Sequence, residues 1–190
     1  MFKIKLFILN SFFLIPFLSF GQTETAGATF PNTIQIENEK ASLSGVGIKK
    51  RVWVKEYAIG LYHNESTTNA DKIIRSDKPM GVRIQVLSKF LPRTKYITDL
   101  EEGFEKSILS DTRPIKTKID RFFSLLDENL GRSDVLKFLY HPDIGVKVYI
   151  NSKFKGIIKG DKFRQALWSN WIHDKCADKE LKNKLLANAK

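Results

Sequence analysis

Three consecutive cations, Lys49, Lys50 and Arg51, stand between two stretches of strand-forming sequence. Just upstream, Gly45 and Gly47 interrupt an alternating pattern, where glycine normally costs stability and tends to mark a bulge or a close backbone approach. Just downstream, Trp53 to Tyr62 is a β-rich run whose last six residues are nearly all apolar. Such a run reads as a strand covered on both faces, in the middle of a sheet. The cations then have two readings. Either they form a turn in water, or one of them points along the sheet and sets a positive charge against whatever a pocket there contains.

Other chemistry is sparsely represented. The chain has no phosphate-cradling glycine loop, no nucleophile elbow and no Cys or His pair at metal-ligand spacing. His63, His141 and His173 are far apart and sit at strand or helix ends, so neither a metal nor a cofactor is expected. Cys176 is the only cysteine, which rules out an internal disulfide and leaves stability to the core. Fourteen Phe, five Tyr and three Trp recur at core spacing; they fill a core first, and line an apolar ligand cavity second. The formal charge of +11 falls to +9 without Lys3 and Lys5. The remaining cations are dispersed and form no block, so a basic solvated surface is expected, with no nucleic acid as partner.

The elements that must position these groups follow from periodicity. Thr33 to Glu37, Lys40 to Ile48 and Arg51 to Asn64 read as strands, the last two antiparallel across a tight connection at Lys49-Lys50. Ala70 to Ser76 makes a short helix capped by Asn69, and Met80 to Lys89 a further strand. Ile97, Leu100, Phe104 and Ile108 form one helical stripe, with Thr94 as a candidate cap. Ile115, Ile119, Phe122, Leu126 and Leu130 form the stripe of a second long helix, stopped by Gly131. Ser133 to Tyr140, Gly145 to Ile150 and Phe154 to Ile158 are strands. A helix begins at Gly160-Asp161, with Phe163, Ala166, Leu167, Asn170 and Trp171 on one face. Asp178 to Ala189 is a last amphipathic helix. Strands, helices, strands, helices in that order predict an α+β domain, an antiparallel sheet packed against a layer of helices.

The first 21 residues differ from the rest. Lys3 and Lys5 precede an apolar run from Leu6 to Phe20, closed by Ser19-Phe20-Gly21. This is the pattern of a secretory signal peptide, too short and too interrupted by Pro16 for a membrane-spanning anchor. With no cysteine near the cleavage point, a periplasmic or secreted protein is expected. Residues 22–29 read as a flexible mature N-terminus and residues 30–190 as one domain.

The motifs Gly45-Val46-Gly47-Ile48-Lys49 and Tyr57-Ala58-Ile59-Gly60-Leu61-Tyr62 resemble the start of the chalcone isomerase fold. The later Lys155-Gly156-Ile157-Ile158-Lys159-Gly160, Phe163-Arg164-Gln165-Ala166-Leu167-Trp168 and Asp178 to Leu186 are similar to its exported bacterial branch. In the plant enzymes of this family, an arginine after Gly-x-Gly, a threonine on the long strand and a Tyr-x-x-Lys-x-x-x-Asn helix motif organise ring closure on an enone. The resemblance puts Lys49 at the arginine's position and Tyr57 at the threonine's. On the helix it keeps Tyr96, but sets Asp99 in place of the lysine and Gly103 in place of the asparagine. An anion there opposes a developing enolate. A second branch binds fatty acids without catalysis, gripping the carboxylate with arginine and tyrosine. The resemblance therefore implies a non-catalytic protein that binds a small apolar, lipid-like ligand such as a fatty acid between sheet and helices, with Lys49, Tyr57 and Tyr96 as ligand-binding residues. The alternatives are a chalcone isomerase-type intramolecular lyase and an accessory envelope protein with a closed core.

Overall fold

The computed structural model describes residues 22–109 and 111–187; the expected signal peptide lies outside them. The chain forms eleven strands and five α-helices among these residues. Strands β3 (Thr33–Ile36), β4 (Glu39–Arg51), β5 (Val54–His63), β6 (Met80–Val86), β9 (Val135–His141), β10 (Gly145–Ile150) and β11 (Lys153–Ile158) build one antiparallel sheet. Its order is β11-β10-β9-β6-β5-β4-β3. The apolar run of β5 lies near the centre, and every residue from Glu56 to His63 is buried. The sheet curls: Lys147 on β10 reaches Glu37 beyond β3, and His141 at the end of β9 lies 3.6 Å from Glu39 on β4.

Helices α2 (Arg93–Glu105), α3 (Lys116–Leu125), α4 (Asp161–Ile172) and α5 (Lys179–Leu185) cover one face, and α1 (Ala70–Arg75) packs beside α4. Eight of the twelve α4 residues are buried, so this helix is the centre of the layer. The core beneath is aromatic. Phe122 meets Phe138 edge to face at 5.2 Å, and Phe138 stacks on Trp171 at 6.2 Å. Arg164, 1% exposed on α4, is a buried cation with its needs met. It pairs with Asp161, donates to the Ile74 and Ser76 carbonyls, and lies over the Tyr140 ring.

Four expectations are corrected. Residues 22–29 are not loose: β1 (Gln22–Thr25) and β2 (Ala28–Pro31) form a hairpin. Positive φ at Ala26 and Gly27 makes its tight turn, and Phe30 anchors it on the outer face of the sheet. The β4–β5 turn falls at Val52-Trp53 instead of Lys49-Lys50, so all three cations belong to the strand. Helix α2 starts at Arg93 after Pro92, with no side-chain cap from Thr94. Helix α3 stops at Leu125. There Arg93 donates to the Phe123 and Leu126 carbonyls and Tyr96 to that of Glu128, and Leu130-Gly131 passes into the short strand β8, paired with β7 (Phe90–Leu91).

Candidate functional site

Lys49 and Tyr57 are direct partners in the β4–β5 ladder, at the last position before a bulge between Lys49 and Lys50. Both side chains line a cavity between the sheet and the helices. The sheet contributes Ile84, Val86, Leu136 and Phe138; α2 contributes Tyr96, Asp99, Leu100 and Gly103. Asn170 and Trp171 come from α4, and Ala177, Asp178 and Leu181 from the α5 segment. The walls are mainly apolar, and the cavity volume is about 80 Å³.

Helix α5 is the cover of this space, and the glycine pair explains how it gets there. A Cβ built at Gly45 would overlap the Lys184 carbonyl oxygen, and one at Gly47 the Leu181 side chain. Of the two readings of these glycines, a bulge or a close approach, both are found: the register shifts between Leu43 and Gly45, and α5 lies directly on β4. Asp178 caps this helix, accepting from the Leu181 N–H at 2.9 Å. Its other oxygen faces the Lys49 ammonium at 3.7 Å. Ser44 Oγ donates to the Leu185 carbonyl at 2.9 Å, a second tie between strand and cover.

The electrostatics at this end of the cavity are mixed. Burial raises the Tyr57 hydroxyl pKa well above its ordinary value; a hydrogen bond from the Trp171 side chain works against the rise, and Asp99, Glu56 and Asp178 add to it. Tyr57 is therefore a neutral donor throughout the physiological range. Asp99, where the resemblance implies a lysine, is held by Arg51 at 2.8 Å and Lys95 at 3.2 Å. Lys95 also contacts Glu56 at 2.9 Å, so the anions beside Tyr57 are largely answered.

The three residues expected at the site thus line one cavity, with different roles. The ring of Tyr96 is wall, but its hydroxyl points away and donates to the Glu128 carbonyl at 2.6 Å. Burial pushes this phenol up to about 12, with Arg93 offsetting the rise. Asn170, Trp171 and Asp178 are additional lining residues. Periodicity places the first two on the buried face of their helix, and nothing local marks them as lining. Where the resemblance implies an asparagine on α2, a Cβ at Gly103 would overlap Asn170 Oδ1, so the α4 amide occupies the room that Gly103 leaves. Its Nδ2 donates to the Ala166 and Leu167 carbonyls, and its Oδ1 is buried without a partner.

Among the described residues, no cluster of His, Cys, Asp or Glu could hold a metal ion. No helix there is long and apolar enough to cross a membrane.

No curated protein matches the chain. Among solved structures, a fatty-acid binding protein of Arabidopsis thaliana, AtFAP1, superposes with a TM-score of 0.71 at 20% identity, covering 89% of this chain and 97% of that one. A family model described as chalcone isomerase-like matches residues 22–187. With the curled antiparallel sheet and its single layer of helices, this match shows that the chain belongs to the chalcone isomerase-like family.

Proposed function

We propose that the protein is a non-catalytic binder of a small apolar acid, a fatty acid in the simplest case. One observation carries the reading: Lys49 and Tyr57 stand side by side at the polar end of a cavity whose other walls are mainly apolar. A carboxylate at that end receives a charge-assisted hydrogen bond from Lys49 and a neutral one from Tyr57. The acyl chain runs along Ile84, Val86, Leu136 and Phe138, each buried CH₂ contributing about 0.8 kcal/mol. The structural neighbour AtFAP1 is a fatty-acid binding protein, which points the same way. Ring closure on an enone is disfavoured by the burial around Tyr57, which opposes an anion there, and by Asp99 standing where the resemblance implies a lysine.

The cavity, about 80 Å³, is smaller than the ~150 Å³ space that takes up a benzene ring. A fatty-acyl chain therefore requires the cavity to widen, and we place that widening at α5, with Asp178 leaving Lys49. The ligand carboxylate then takes the position vacated by Asp178. Export is a separate part of the reading and rests on the leader-like pattern of residues 1–21; the mass of the mature protein, beginning at Gln22, checks it.

Calorimetric titration with dodecanoate tests the binding reading. Saturable binding is expected, weakened roughly 10- to 100-fold by Lys49→Ala, the equivalent of losing one hydrogen bond to a charged group. Tyr57→Phe should weaken it less. Absence of any heat or displacement with saturated acids of eight to sixteen carbons would overturn the reading.

A further inference from the structure

The hairpin that begins at the cavity ends in an unusual tip. Beyond the Lys49–Tyr57 pair the ladder continues through Lys50–Lys55 and Arg51–Val54 to the two-residue turn Val52-Trp53. At about 3.4 Å per residue, this carries the turn roughly 10 Å past the cavity. Trp53 is 91% exposed and Val52 81%, and Val54 is also mostly in water. Positive φ at Val52, and not at Trp53, is a type II′ pattern that glycine serves best and a β-branched residue serves badly. The turn therefore gives up both local backbone preference and solvation to display Val-Trp-Val.

Cations surround this apolar tip. Lys50 and Lys55 flank it on the two strands, while Arg51 is paired with Asp99 and Glu56. The chain leaving β6 comes out at the same end, because the Leu87 and Ser88 N–H groups both donate to the Glu56 carbonyl. It brings exposed Lys89 and Phe90, the latter 63% exposed. An indole between aliphatic residues, flanked by lysines, matches an interface with apolar acyl chains below and anionic headgroups above.

We propose that the β4–β5 hairpin tip docks on an anionic lipid bilayer, inserting Val52, Trp53 and Val54 at the headgroup boundary while Lys50, Lys55 and Lys89 meet the phosphates. The docked orientation sets the Lys49–Tyr57 end of the cavity toward the bilayer. Membrane docking needs no bound ligand, so it stands or falls separately from the fatty-acid reading.

Vesicles of phosphatidylglycerol and phosphatidylcholine in equal parts, against pure phosphatidylcholine vesicles, make the test. Trp168 and Trp171 are buried, so a change in tryptophan emission on mixing reports Trp53. Co-sedimentation with the anionic vesicles and a blue shift are expected, both weakened in high salt. The double variant Val52→Gly, Trp53→Asn suits the same turn, so it should fold at least as well by thermal melting and associate at least tenfold more weakly. Its dodecanoate binding should equal that of the unsubstituted protein, which keeps docking and ligand binding apart. No association with anionic vesicles would overturn the proposal, as would association that the double variant leaves undiminished. Lipid-independent dimerisation that the variant abolishes would overturn it too, assigning the tip to a second copy of this chain.

Discussion

Lys49 and Asp178 face each other at 3.7 Å across the boundary between the sheet and the helix that covers it. The ammonium that would hold a ligand's carboxylate is already beside a carboxylate of the chain. Binding is then an exchange of one anion for another, and the internal anion sets how much of the lysine's attraction a ligand can use.

Asp178→Asn separates the two roles of that residue. Asparagine still caps α5, since it accepts from the Leu181 N–H as well as aspartate does, but it no longer competes for Lys49. A partly exposed pair of this kind contributes up to about 1 kcal/mol, so dodecanoate affinity should rise up to roughly fivefold. Titration of the variant checks the sign; weaker binding would mean that Asp178 assists the ligand.

The glycine pair under α5 differs in tolerance. At Gly45 the added methyl would meet backbone carbonyls of Lys184 and Leu185, whereas at Gly47 it meets the end of the Leu181 side chain, which can turn aside. Gly45→Ala should cost about 1–3 kcal/mol and Gly47→Ala less. At this chain length the first corresponds to a fall in Tm of several degrees. Thermal melting of the two variants gives the ranking, and the reverse order would contradict the described seat of α5.

Gly103 and Asn170 should be coupled. Gly103→Ala alone drives a methyl into the Asn170 carboxamide and should destabilise by about 1–3 kcal/mol. In the Asn170→Ala background the same change should cost much less, because the obstructing atoms are gone. A double-mutant cycle in urea measures the difference, and additive costs would show that the amide lies elsewhere.

His63 makes stability depend on pH. Burial lowers its pKa from 6.5 to about 4, against a smaller opposing pull from Glu65. Between those values the unfolded chain binds more protons than the folded one, so stability falls as pH drops from about 6.5 to about 4. The loss over that window is of order 3 kcal/mol. Urea unfolding at pH 7 and pH 4.5 should show much of it, and His63→Gln should flatten the slope.

How much of the molecule is legible in its sequence depends on whether the cause is local. The alternating and 3.6-period patterns place the sheet strands and the long helices within a few residues, and Gly45-x-Gly47 announces a close approach. What approaches cannot be read there, because the answer, Lys184 and Leu185, is on the last helix. The β4–β5 turn escapes a local reading because its true site holds Val52 and Trp53, neither of which favours a turn; the three cations look more turn-like than the turn itself. The hairpin of residues 22–31 escapes one because its strand residues are mostly small and polar, and what holds it is Phe30 on the sheet. Lys49 and Tyr57 are picked out only by the resemblance, which sets them at the positions of the family's arginine and threonine; that they are cross-strand partners emerges with the true turn position. Asp178, Asn170 and Trp171 are not picked out, since only the tertiary fold carries them to the same space.

The bond between Ser44 and Leu185 spans 141 positions of the chain. Early and late segments must therefore both have emerged from the ribosome before the cover can seat. Until then a nascent chain can pair β4 with β5, but the face that α5 will occupy stays open along its glycines. Assembly of the site therefore waits for α5, and shortening the chain before Asp178 should leave the Gly45–Gly47 face of the sheet as an unroofed trough.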